Sequence, residues 1–164
     1  PQQSAGNRSE RQLHKSGGSA VLAGSLAALW ADGRRQVFQR GFWPALPLKG
    51  TLGIKIADKY FFIDISMINK TKIRYDIDQI RFKIEDKKQT KATNFQSIEI
   101  LPLMQVNKNL VFKKNYRNIF VFEKFTFPDE KVLTIEISEK QISGRTITLR
   151  IDYADILHAD AFTE

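Results

Sequence analysis

The stretch Ile73-Arg-Tyr-Asp-Ile-Asp-Gln-Ile-Arg-Phe-Lys-Ile-Glu85 decides the fold. Its apolar residues recur every second position, the period of a β-strand. The phase then changes. Ile73, Tyr75 and Ile77 share one parity, and Ile80, Phe82 and Ile84 share the other. One extra residue near Asp78–Gln79 returns both halves to a single buried face, so a β-bulge or a strand break is expected there.

The same period continues outward. Leu133, Ile135 and Ile137 alternate with Thr134, Glu136 and Ser138, and Ile147, Leu149, Ile151 and Tyr153 alternate with Thr148, Arg150 and Asp152. On the N-terminal side, Phe61, Ile63, Ile65 and Met67 alternate with Phe62, Asp64 and Ser66. These patterns predict strands with one buried and one wet face. Phe120, Phe122, Phe125 and Phe127 read as core and turn packing, with a ring exposed at an edge as a further expectation. Turn signals fall at Asn69–Lys72, Asp86–Lys91, Asn107–Asn109, Phe127–Lys131 and Ser143–Gly144. About seven to eight strands at this spacing predict an all-β, antiparallel, immunoglobulin-like β-sandwich, with a closed barrel as the main competing architecture.

Composition divides the chain near Gly50. Residues 1–50 hold seven of the nine glycines, both tryptophans and no isoleucine, whereas residues 51–164 hold 18 isoleucines. The first stretch is expected to be an extension, disordered or with a short helix, and residues 51–164 the β domain. Ala20–Ala31 is apolar, but its 12 residues are too few to span a bilayer as a helix. Basic residues precede it, yet no small-x-small cleavage site follows, so no clear signal peptide is read.

The 164 residues carry 26 Lys+Arg against 18 Asp+Glu, a net charge of +8. It splits as +5 for residues 1–50 and +3 for residues 51–164, so per residue the basic excess sits in the N-terminal stretch. There is no cysteine, which excludes a disulfide scaffold, thiolate metal sites and a thiol nucleophile. His14 and His158 are the only histidines. No serine in a Gly-x-Ser-x-Gly turn accompanies His158, which reads as a surface residue. Asp76 and Asp78 read as a solvated strand face rather than an acid pair. Only Gly53 and Gly144 follow residue 50, so no phosphate-cradling loop exists there. The expectation is a protein without catalytic residues, metal or cofactor, one that binds rather than turns over. Two basic groups are candidate nucleic-acid contacts: Lys87, Lys88 and Lys91, and Lys113, Lys114 and Arg117.

Four strings carry a family resemblance: YDIDQIRFKIEDKK (75–88), KATNFQSIEILPL (91–103), FEKFTFPDEKVLTIEISEK (122–140) and GRTITLRIDYADIL (144–157). In this order and spacing, residues 51–164 resemble the C-terminal domain of the TraN proteins of Bacteroides-type conjugative transposons. Ala92 stands where that pattern usually has Arg, and Ser143-Gly144 where it has a Gly pair. The resemblance implies a non-enzymatic structural or assembly component of a conjugative DNA-transfer apparatus related to type IV secretion. It also implies a place in the cell envelope, periplasmic or associated with the outer membrane, with other Tra proteins as partners in an oligomeric complex. A basic nucleic-acid-binding module of the same machinery is the alternative. Tyr75, Arg81 and Phe82 lie in the most specific motif. They are candidate partner contacts, set against a reading as packing and a strand-to-strand ion pair.

Overall fold

A computed structural model describes residues 23–28, 48–57, 59–88, 97–140 and 144–161. The chain divides into two units, residues 1–35 and 36–164. Of the first, residues 23–28 form a short helix, α1, inside the apolar run of good helix formers.

The second unit is an all-β sandwich. Its strands are β1 (Leu48–Ala57), β2 (Tyr60–Asn69), β3 (Tyr75–Asp86), β4 (Ile98–Ile100), β5 (Met104–Gln105), β6 (Val111–Phe112), β7 (Asn115–Glu123), β8 (Lys131–Glu139), β9 (Thr146–Asp152) and β10 (Asp160–Ala161). One sheet runs β10-β1-β2-β7-β5, the other β4-β3-β8-β9, with β6 paired to the start of β3. Every pairing is antiparallel except β1 with β10. With β1 as strand A, the two orders read A-B-E-D and C′-C-F-G, the immunoglobulin-like arrangement. The first strand begins at Leu48, inside the stretch that composition sets apart.

The bulge falls where the phase change predicts it. The β3–β8 register shifts between Ile77 and Gln79, leaving Asp78 as the extra, exposed residue. Tyr75 and Ile77 before it, and Phe82 and Ile84 after it, are all buried. Between the sheets, Phe61, Ile63, Ile65, Phe120 and Phe122 meet Phe82, Leu133, Ile135, Ile147 and Leu149.

Four expectations are corrected. The outward faces of β2 and β7 are not wet: Phe62, Asp64, Ile119 and Val121 are all buried. Strands covered on both sides read as near-continuous apolar runs, and YFFIDISMI is one. The rings of Phe120, Phe122 and Phe127 are interior and that of Phe125 is half-buried against Phe61 and Phe122, so none of the four stands out as an exposed edge ring. Ile73 is not in β3. The Asn69 side chain accepts from the Thr71 N–H (3.0 Å) and donates to the Ile73 carbonyl (2.7 Å), which holds residues 69–73 as a turn. Tyr153 does not extend β9. The Asp155 carboxylate accepts from the Asp152 N–H (2.9 Å) and starts a short helix, α2 (Tyr153–Leu157).

Candidate functional site

Sheet order leaves β4 at the edge of one sheet and β5 at the edge of the other. The chain between them therefore passes along one open side of the sandwich. This segment is apolar. Ile98, Leu101, Leu103, Met104 and Val106 are exposed along it, Leu101 to 80%. Leu110 and Val111 continue the series. Seven of the ten exposed large hydrophobic residues among those described thus fall within 14 positions. Single exposed apolar residues are ordinary, but a contiguous run marks a contact surface.

The run is held firmly. Leu103 N–H donates to the Val121 carbonyl (2.7 Å) and Val106 N–H to the Ile119 carbonyl (3.0 Å). The buried Asn118 accepts from Asn107 N–H (2.8 Å), and its amide nitrogen donates to the Asn107 carbonyl (2.9 Å). The backbone is satisfied inward, so the Leu and Met side chains stand outward. Nothing in ILPLMQV alone distinguishes it from a buried strand. Its exposure follows from its place between two sheet edges.

Two of the candidate partner contacts are interior. Tyr75 stacks on Phe112 with centroids 5.4 Å apart, and its hydroxyl donates to the carbonyls of Arg145 (2.6 Å) and Ile137 (3.2 Å). Burial, with the nearby Glu139 carboxylate, pushes the phenol pKa up. Phe82 lies between the sheets against Phe120 and Phe122. Neither ring reaches a partner in the folded domain. Arg81 is on the surface, and its guanidinium makes a two-point pair with Glu99 at 3.1 and 2.7 Å. The packing and ion-pair reading describes all three.

The candidate nucleic-acid contacts do not form one surface. Lys87 follows the C-terminal end of β3, where it pairs with Asp129 (3.0 Å) and Asp152 (3.5 Å). Lys88 beside it is exposed, and Lys91 lies outside the described residues. Lys113 and Lys114 are exposed beside the opposite end of β3, next to the Tyr75–Phe112 pairing. At about 3.3 Å per residue the length of β3 separates the two groups by roughly 35–40 Å. Arg117 is engaged by Asp64, with Nη2 2.6 Å and Nε 3.1 Å from the carboxylate.

The imidazole of His158 is exposed, with Nδ1 2.6 Å from the Ala154 carbonyl oxygen. Among the described residues no three His, Asp or Glu side chains gather as a metal site. Also among these, no helix is long and apolar enough to cross a membrane.

Comparison with known proteins adds a family. No curated protein and no solved structure matches the chain. A family model described as "Domain of unknown function (DUF4138)" matches residues 25–161, which takes in every strand from β1 to β10 and part of the stretch before them. With most of its length matched, the chain belongs to the DUF4138 family.

Proposed function

We propose that this chain is a non-enzymatic assembly component of a conjugative, type IV secretion-like DNA-transfer apparatus at the cell envelope. It works through protein–protein contact. The apparatus comes from the resemblance of residues 51–164 to TraN proteins. The mode of action rests on one observation, the exposed aliphatic run from Ile98 to Val111 on a firmly hydrogen-bonded edge. Its occupant is another protein of the apparatus, with Leu101 and Leu103 as the anchors it covers.

The test is the double variant Leu101→Glu/Leu103→Glu in a conjugating host. Both side chains are more than half exposed, so the change leaves the fold near its original stability. Losing two buried anchors from a contact costs on the order of 3 kcal/mol, or about a hundredfold in affinity. Transfer frequency is expected to fall steeply, with cellular level and unfolding midpoint unchanged. Wild-type transfer by this variant would overturn the proposal.

A further inference from the structure

The end of the sandwich around the start of β3 is a second surface, which adjoins the apolar run only at its far end, where Val111 pairs with Asp76, and lies away from Leu101 and Leu103. Three connections meet there. The turn after β2 is tied to the turn before β7 by Asn69 N–H donating to the Lys114 carbonyl (2.6 Å). The chain after β8 is tied to β3 by Lys140 N–H donating to the Asp76 carbonyl (2.9 Å). Arg145 Nη2 donates to the Arg74 carbonyl (3.2 Å).

Charge concentrates at this end. Lys70, Lys72, Lys108, Lys113, Lys114 and Lys140 are all exposed, and none is in an ion pair among the described residues. Of the acids there, Asp76 is paired with Arg74 and Glu139 with Arg145, and Asp78 is exposed on the bulge. Eight cations against three acids make +5. Counted from Leu48, where β1 begins, to Ala161, the sandwich carries 20 Lys+Arg against 15 Asp+Glu, also +5, so the charges elsewhere in it balance and the excess lies at this end.

An apolar side chain projects among these lysines. Ile73 is 65% exposed, between Lys72 and Arg74. Its position is built in. Asn69 Nδ2 and Thr71 Oγ1 both donate to the Ile73 carbonyl, at 2.7 and 2.9 Å, and Asn69 itself is buried.

The chemistry selects among anionic partners. The free cations are lysines, point charges without the planar fork that matches a carboxylate. Lysine is also depleted at protein–protein interfaces. Single-stranded nucleic acid is gripped by exposed aromatic rings, but Tyr75, Phe112 and Tyr116 at this end are buried. Lysines around a projecting aliphatic side chain suit a bilayer surface, where the cations meet lipid phosphates and the apolar group enters the headgroup layer. We propose that this end docks on an anionic phospholipid surface, with Ile73 inserted and Lys70, Lys72, Lys113 and Lys114 against the phosphates.

The experiment is vesicle co-sedimentation of the full chain with phosphatidylcholine alone and with phosphatidylcholine containing one third phosphatidylglycerol. Binding is expected only to the anionic vesicles, weakening as salt rises. Each lysine neutralised should cost roughly fivefold, so Lys72→Gln/Lys113→Gln/Lys114→Gln should weaken binding on the order of a hundredfold. Ile73→Ser, which changes no charge, should weaken it severalfold. Arg34→Gln/Arg35→Gln serves as a comparison for the basic N-terminal stretch and should change little. Equal binding to both vesicles, no binding at low salt, or a loss confined to the Arg34/Arg35 variant would each overturn the proposal. So would duplex DNA outcompeting the vesicles at equal phosphate with Ile73→Ser without effect, which would mark a nucleic-acid surface instead. This readout uses no transfer assay, so its failure leaves the apolar edge unaffected.

Discussion

Phe82→Ala is expected to destabilise the domain by about 4 kcal/mol, within the range for removing a fully buried ring. Phe82 is 1% exposed and lies midway along β3, opposite Ile135 of β8 and Ile100 of β4. Its ring meets Phe120 and Phe122 of the facing sheet edge-on, at centroid distances of 5.0 and 4.8 Å and interplanar angles of 61° and 69°. Edge-to-face contacts add to the burial of area. A domain of this size has on the order of 5–15 kcal/mol of total stability, so the variant sits near the margin of folding. Urea unfolding followed by far-ultraviolet circular dichroism measures the loss. A loss under about 1 kcal/mol would mean that the two sheets do not close on this ring.

Glu139→Ala is expected to cost a similar amount, about 3–4 kcal/mol, for a different reason. The Glu139 side chain is 1% exposed and accepts from Arg145 at Nη2 and Nε, both at 2.7 Å. Arg145 in turn lies over the Tyr75 ring at 4.9 Å, and the Tyr75 hydroxyl donates to the Arg145 carbonyl. Removing the carboxylate leaves a largely buried guanidinium without its counter-charge, and breaking a buried pair from one side costs far more than the pair contributes.

The same group gives the domain acid sensitivity. Hydrogen bonds from the Arg145 side chain hold the Glu139 carboxyl below its ordinary value of 4.5, although burial pulls the other way. Its contribution is therefore complete above pH 4.5 and is lost as pH falls through the lower folded-state value. Glu139→Gln keeps the shape and removes the titration. Its stability at neutral pH should be lower than wild type, and the gap should narrow below pH 4. A gap that widens in acid would contradict this clamp.

Much of the fold is legible in residues 51–164. The phase change in IRYDIDQIRFKIE marks the bulge, because only an inserted residue lets Tyr75 and Phe82 share one face. Asn69, Asn107 and Pro128 mark turns because their side chains or rings act on the local backbone. What alternation does not convey is how many sides of a strand are covered. Phe62 and Asp64 look like a wet face and are buried, because burial of a strand's second face is not a local property of its sequence. Charge is illegible for the same reason. Arg117 and Lys87 look free in sequence, but Asp64 lies 53 residues from the first and Asp129 42 from the second. The apolar edge is the converse case. Leu101, Leu103 and Met104 look like core, and only the strand order puts them at the boundary of both sheets.

That edge is open to direct measurement by a photo-crosslinking amino acid placed at Leu101 in cells of a conjugating host, with the same probe at Arg150 on the exposed face of β9 for comparison. Covalent partners are then identified by mass spectrometry. An assembly subunit that docks through Ile98–Val111 should give a discrete adduct from position 101 with another envelope protein of the transfer apparatus, and none from position 150. Adducts absent at 101, or the same partners captured from both positions, would contradict docking through this edge.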